Sequence, residues 1–321
     1  MLATWTAVFV VSVVALVLSA DRFTMGAEEL GLYLGMAPYV VGVTIVAIGT
    51  SLPELVSSLF AIYEGSPEIV AGNVIGSNIT NIFLVLGFSA VIGARLSVSY
   101  EIINVDLPML VASAAFVVIS GWDGVVTAPE GILLVCGAAV YLAYAVSISR
   151  QRGRLHEDIE EDLEEELEVV EGRLDPWVWP RILVGATVLY FSAEYTVRSV
   201  IELSEALGVG ADVLAVSAVA LGTSLPELAV SLGASRRGNL DVAMGNVLGS
   251  SVFNGFAVLG IPALFTQLPV ESQVLNVGVP MMVIATLLFF FMAQDREITR
   301  WEGTLLLLLY LLFLGKLFGL L

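Results

Sequence analysis

Apolar residues in this chain come in uninterrupted runs of about twenty, the length a helix needs to cross a bilayer. They neither alternate nor confine themselves to one stripe. The runs predict ten helices, approximately 2–33, 38–63, 68–93, 100–120, 127–150, 177–206, 211–236, 240–265, 272–293 and 300–320. Continuous runs argue against a closed barrel, whose strands would alternate apolar and polar positions. The predicted class is therefore an all-α polytopic membrane protein. The first run, Leu2 to Ala20, lacks a basic leader, and Leu18 and Ala20 make a poor cleavage site, so it is read as the first membrane helix.

One long polar stretch, 151–175, divides the chain into a first five-helix repeat (1–150) and a second (176–321). The halves match at a fixed offset of 173. Gly49-Thr50-Ser51-Leu52-Pro53-Glu54-Leu55 recurs unchanged as Gly222-Thr223-Ser224-Leu225-Pro226-Glu227-Leu228. The same offset carries Ser19-Ala20-Asp21 onto Ser192-Ala193-Glu194, and Gly72-Asn73-Val74-Ile75-Gly76-Ser77 onto Gly245-Asn246-Val247-Leu248-Gly249-Ser250. It also carries Asn81 onto Asn254. After one deletion the offset is 172, and Pro108 meets Pro280 while Glu130-Gly131 meets Glu302-Gly303. Such a match is an internal duplication. Five helices is an odd number, so the second half must enter the membrane from the opposite side. The expected architecture is ten transmembrane helices as two inverted-topology repeats.

Composition agrees with the hydropathy pattern. The 321 residues are 58% hydrophobic and only 14% charged, against roughly 25% charged in soluble domains, and mean hydropathy is +0.93. The net charge of −18 is local: eleven of the 31 acids lie between Glu157 and Asp175. It gives no reason to expect nucleic-acid binding. With the N-terminus outside, eleven of the 13 basic residues fall on the inner side and only Arg198 and Lys316 on the outer. By the positive-inside rule both termini face outward and the acidic segment is a cytoplasmic linker, in a multi-pass protein of the plasma membrane. That segment has no EF-hand spacing and reads as a short solvated helix or linker. Cys136, the single cysteine, is expected as a small core residue.

The chemistry concentrates in the repeated heptapeptide. An ionisable group at membrane depth is costly and marks an ion or substrate pathway. Pro53 cannot donate an amide hydrogen and clashes with the carbonyl four residues back, which frees carbonyls near Ala47 and Gly49. Thr50 and Ser51 add hydroxyls, and Glu54 follows Thr50 by one turn. The seventh helix repeats the set with Ala220, Thr223, Ser224 and Glu227. Every ligand in this collection is an oxygen, which suits a hard cation such as Ca²⁺. His156, the only histidine, lies in the polar linker, so an imidazole–thiolate metal site is disfavoured. Gly72, Gly76, Gly245 and Gly249 read as close-packing positions. That packing would bring Ser77, Asn81, Ser250 and Asn254 near the glutamates.

The two GTSLPE strings, with GN-V-(I/L)-GS downstream, resemble the alpha repeats of the sodium/calcium exchangers, in the calcium:cation antiporter superfamily. The resemblance spans both halves. It implies that Glu54 and Glu227 are the central Ca²⁺ ligands, shared with Na⁺. It implies further that Thr50, Thr223 and the carbonyls of Ala47 and Ala220 complete the sites. Ser51, Ser77, Ser224 and Ser250 would line flanking Na⁺ sites, with Asn81 and Asn254 in the middle. Similar proteins alternate access by sliding the first and sixth helices across a fixed core, and 21–33 and 194–206 fit that role. Several prokaryotic exchangers carry aspartate where this chain has Asn254. Two acids balance one Ca²⁺ or two Na⁺, so a third Na⁺ would leave positive charge in the site.

The leading expectation is a secondary antiporter exchanging Na⁺ for Ca²⁺ in a lipid bilayer, with no cofactor and no obligatory protein partner. A Ca²⁺/H⁺ exchanger of the same superfamily is the alternative, since a membrane glutamate also carries protons. A cation channel is the reading from another class, disfavoured by paired broken helices. No HExxH, nucleophile–histidine pair or nucleotide loop suggests an enzyme.

Overall fold

The computed structural model describes residues 2–93, 95–97, 105–163, 175–206, 224–317, 319 and 321. Their helical stretches are α1 (Leu2–Tyr33), α2 (Pro38–Tyr63), α3 (Glu68–Ile92), α4 (Asp106–Gly121) and α5 (Ala128–Leu163) in the first half. The second half contains α6 (Val178–Ala206), α7 (Leu225–Arg236), α8 (Leu240–Ala263), α9 (Val274–Asp295) and α10 (Arg300–Leu317). Residues 207–223, which include the start of the expected seventh helix, lie outside the described part.

By length and apolar content, six helices among the described residues can cross a membrane: α1, α2, α3, α5, α8 and α9. The others fall short for visible reasons. α4 has 16 residues, α7 is described only from Leu225, and α6 and α10 carry charges such as Arg181, Glu194, Arg300 and Lys316 within their length. α5 departs from expectation by continuing past 150 to Leu163. The added stretch contains no proline and has several Glu, Arg and Leu residues, all good helix formers.

Burial separates a core from a periphery. The apolar window of α8 is 94% buried and that of α3 is 78% buried, whereas the window of α1 is only 17% buried. α1 and α6 pack along each other over most of their length. Thr196 donates to Ser12 (2.9 Å), and Arg198 stacks over the Trp5 ring. Gly185 admits the Phe23 backbone, where an added Cβ would lie 3.0 Å from Phe23 Cα. The outward faces are apolar, with Val10, Val14, Leu183, Phe291, Leu308 and Leu311 exposed. Cys136 is exposed too, not in the core. In a helix that meets hydrocarbon on its outer face, apolar character does not distinguish inside from outside.

Contacts between the halves repeat at the same offsets as the sequence. An added Cβ on Gly303 would lie 2.7 Å from the Gly87 carbonyl, and one on Gly131 would lie 2.9 Å from the Gly260 carbonyl. Each third helix thus crosses the other half's fifth helix at a glycine pair. Thr127 caps with Glu130 (N–H···Oε2 2.7 Å) just as Thr299 caps with Glu302 (2.8 Å). Two short antiparallel ladders, missed in the sequence, follow the rule as well. β1 (Arg95–Ser97) pairs with β4 (Glu297–Thr299), and β2 (Val125–Val126) pairs with β3 (Leu268–Pro269). The offset exchanges one ladder for the other.

Candidate functional site

The first heptapeptide and the described part of the second, 224–228, lie where the two halves meet. α2 runs as a continuous helix through Pro53, so the expected break is not there. The irregularity sits about two turns upstream, where Gly42–Val46 winds as a π-helical turn just before Ala47. Asn81 and Asn254 each open a further π turn, Asn81–Leu86 in α3 and Asn254–Val258 in α8. Such turns widen the backbone spiral and recur at functional sites. In the second half, Ser224 precedes α7 and Pro226 occupies its first turn, a position where the missing amide hydrogen costs nothing.

Glycines set the approach of α8 to α2. A Cβ on Gly249 would lie 2.6 Å from both Val43 Cα and the Val43 carbonyl oxygen. One on Gly245 would lie 2.6 Å from the Tyr39 carbonyl and 3.0 Å from Gly42 Cα. This is the expected close packing for Gly245 and Gly249. It presses Ser250 against the start of the heptapeptide: Ser250 Oγ lies 3.4 Å from the Ala47 carbonyl and 3.4 Å from Thr50 Oγ1. Thr50 Oγ1 also lies 3.2 Å from the Ala47 carbonyl and 3.1 Å from Asn246 Oδ1. Within this knot only the Thr50 and Ser250 hydroxyls supply protons to the four oxygens, so lone pairs outnumber donors.

A hydroxyl from the first heptapeptide reaches the glutamate of the second. Ser51, one turn before Glu54, donates to Glu227 Oε1 (3.2 Å). Glu54 and Glu227 are fully buried, as are Thr50, Ser51, Ser77, Ser250, Asn81 and Asn254, and Ser224 is nearly so. The π turn of Asn254 packs on α2, and that of Asn81 packs on α7. Each asparagine is therefore placed beside the other half's glutamate helix. Both Glu54 carboxylate oxygens, Glu227 Oε2, Ser224 Oγ and both polar atoms of the Asn81 and Asn254 amides have no hydrogen-bond partner among the described residues. Most buried polar groups are paired, so a cluster of exceptions marks a place built for another ligand. Ala220 and Thr223, also expected here, lie outside the described residues.

Two pairs were overlooked in the sequence. Asn246 donates from Nδ2 to Ser231 Oγ (2.9 Å) and to the Glu227 carbonyl (3.3 Å), while its Oδ1 accepts from Thr50. Its mate Asn73 donates to Ser58 (3.2 Å), the residue equivalent to Ser231. The signal was present, since both asparagines follow the repeated glycine at the fixed offset. Asp106 is a third omission. It is buried and accepts from Tyr144 (3.1 Å), and its equivalent in the second half is Gly278, so the repeat gave no hint of it. Among the described residues, no group of three or more His, Cys, Asp or Glu side chains converges.

The arrangement is a buried, oxygen-lined, two-carboxylate centre assembled from both halves. The family model described as Sodium/calcium exchanger protein matches residues 4–147 and again 177–319. The chain belongs to the sodium/calcium exchanger family. Relatives match it almost end to end. The sodium/calcium exchanger MaX1 of Methanosarcina acetivorans is 32% identical, with 97% of each chain covered. The inner membrane protein YrbG of Escherichia coli is 29% identical over 94% of this chain and 93% of its own. A solved structure of the sodium-calcium exchanger NCX_Mj soaked with Na⁺ and Ca²⁺ superposes with a TM-score of 0.81 at 31% identity, covering 97% of this chain and 98% of that one. Both family matches begin and end close to the boundaries of the duplicated halves.

Proposed function

We propose that this exchanger moves Ca²⁺ against Na⁺ by alternating access, with Glu54 and Glu227 as the central ligands of both ions. The observation that carries the reading is the set of buried oxygens on Glu54 and Glu227 without a partner among the described residues, with Ser51, one turn before Glu54, bonded to Glu227 and the unpartnered amides of Asn81 and Asn254 on the flanks. Two carboxylates neutralise one Ca²⁺ or two Na⁺, and hydroxyls and amide oxygens supply the remaining coordination that hard cations take. The Ala47 carbonyl, Thr50 and Ser250 add an oxygen-rich flank on one side. Ser77, Ser224, Thr223 and Ala220 provide the counterpart by repeat equivalence. The name of MaX1 and the Na⁺ and Ca²⁺ with which NCX_Mj was soaked support the choice of cations.

Transport follows from how the cage is divided. Half of the ligands come from each repeat, so a motion of one part against the other opens the cage to one side at a time. The exchanged ladders and matched glycine crossings support two five-helix repeats of inverted topology, joined by the acidic linker, among ten membrane helices. The arginine distribution supports cytoplasmic placement of that linker and external termini in a plasma-membrane protein.

Proteoliposomes holding the purified protein test the coupling ion. An outward Na⁺ gradient is expected to drive Ca²⁺ uptake at clamped pH. Uptake that follows a proton gradient and ignores Na⁺ would make this a Ca²⁺/H⁺ exchanger, and ion conductance far above carrier turnover would make it a channel.

A further inference from the structure

Helices α1 and α6 form a peripheral pair, and their polar contacts fall into two kinds. Some lie inside the pair: Arg181 of α6 binds Glu29 of α1 (2.5 Å), and Thr196 binds Ser12. Others fasten the pair to the core. Arg237, at the end of α7, binds Asp21 of α1 and lies 3.6 Å from Glu28. Asn239, in the α7–α8 turn, donates to Glu28 Oε1 (3.0 Å). A contact of the first kind survives any motion of the pair as a body, whereas a contact of the second kind must break.

Repeat equivalence gives this fastening no counterpart among the described residues of the other end. The 173 offset carries Arg237 onto Glu64 and Asp21 onto Glu194, so the equivalent pairing would set acid against acid. The surrounding turn is otherwise conserved between halves, with Gly65 at φ 80° and Gly238 at φ 78°. The fit differs as well. An added Cβ on Gly233 of α7 would lie 2.7 Å from Asp21 Oδ1, so the carboxylate rests directly over a glycine. The equivalent residue in α2 is Phe60, bulky and exposed. Correspondingly, α1 packs extensively along α7, while its mate α6 only grazes α2.

We infer that Arg237, clasped by Asp21 and Glu28 over Gly233, is a positioning residue. It latches the α1–α6 pair to the core at the arginine-rich end and biases the ion site to open at the opposite end. The inference deepens the alternating-access reading and rests on it. Phe23 links the latch to the site: its ring is seated on Gly49, the first residue of the heptapeptide, where an added Cβ would lie 2.4 Å from the ring. Release of α1 at Asp21 frees Phe23, two residues later, to leave that seat.

The test uses full-length protein in oriented proteoliposomes and two independent readouts. The first is the Ca²⁺ half-saturation concentration measured separately from each side. The second is hydrogen–deuterium exchange of the same samples, which needs no transport. R237Q is expected to lower half-saturation at the arginine-rich side and raise it at the other, each by roughly 2- to 5-fold, the range of a partly exposed charge network. Deuterium uptake should rise in 21–33 and 236–241 and fall in 63–68 and 194–206. E64R should create an ion pair with Glu194 and shift every quantity in the opposite sense. The swap D21R with R237D should restore the parent ratio. R181Q, which loosens only the pair itself, should leave the ratio unchanged. Choline chloride should move the parent toward R237Q by screening. Equal effects on both sides, or a parent-like ratio in both R237Q and E64R, would overturn the latch. If the parent lacks Na⁺-driven uptake, the transport reading fails while the opposed exchange pattern still decides the latch.

Discussion

Glu54 and Glu227 are individually ordinary side chains made unusual by position: each is fully enclosed, and three of their four carboxylate oxygens lack a partner among the described residues. E54Q and E227Q keep the shape and one carbonyl oxygen but remove charge opposite a bound cation. Each is expected to weaken Ca²⁺ binding by roughly 100-fold or more, as expected when about 3 kcal/mol of buried charge pairing is lost. Isothermal titration of folded variants checks it, and near-parent affinity in either would remove that residue from the centre. Asn246 acts differently, because it ties three partners together: Thr50, Ser231 and the Glu227 backbone. N246A leaves those groups unsatisfied and is expected to lower stability by about 1–3 kcal/mol. Thermal unfolding in detergent should show the loss with and without Ca²⁺. The glutamates were legible in the sequence because charge at membrane depth is rare. Asn246 was not singled out because a buried amide reads equally as helix packing, and only its three bonds separate the two roles.

At the scale of elements, the hydropathy runs located helices among the described residues, six of them long and apolar enough to cross a membrane. They did not show the π turns at Gly42, Asn81 and Asn254, since one extra residue in a turn leaves no trace in an apolar run. Pro53 was read as a break, yet α2 continues through it; the sequence marks the missing amide but not how the neighbouring turns absorb it. The short ladders were also hidden, because two or three residues of strand carry too little pattern. Glycine spacing was more informative. G249A would place a methyl group 2.6 Å from the backbone of Val43. The backbone has no rotamer to yield, so α2 and α8 must separate, and the expected cost is about 1–3 kcal/mol. A lower unfolding temperature with reduced Ca²⁺ affinity is the expected result, and parent-like values for both would show that the crossing is slack.

Across the whole molecule, two halves exchange strands, cross at paired glycines and share one centre, while the acidic linker falls outside the sequence match between the halves. Deletion of 157–171 is therefore expected to leave basal exchange intact, as measured by initial flux at matched reconstitution. The duplication made this division readable from sequence, whereas Asp106, with no counterpart at Gly278, stayed invisible to it. The account's central claim is that both ions compete for one cage built on the two glutamates. Equilibrium dialysis of radioactive Ca²⁺ against purified protein, with Na⁺ or choline as the balancing cation, tests it most directly. The expected result is saturable Ca²⁺ binding in choline, displaced by Na⁺ and absent from the E54Q/E227Q double variant. Binding that ignores Na⁺ or persists in the double variant would contradict it.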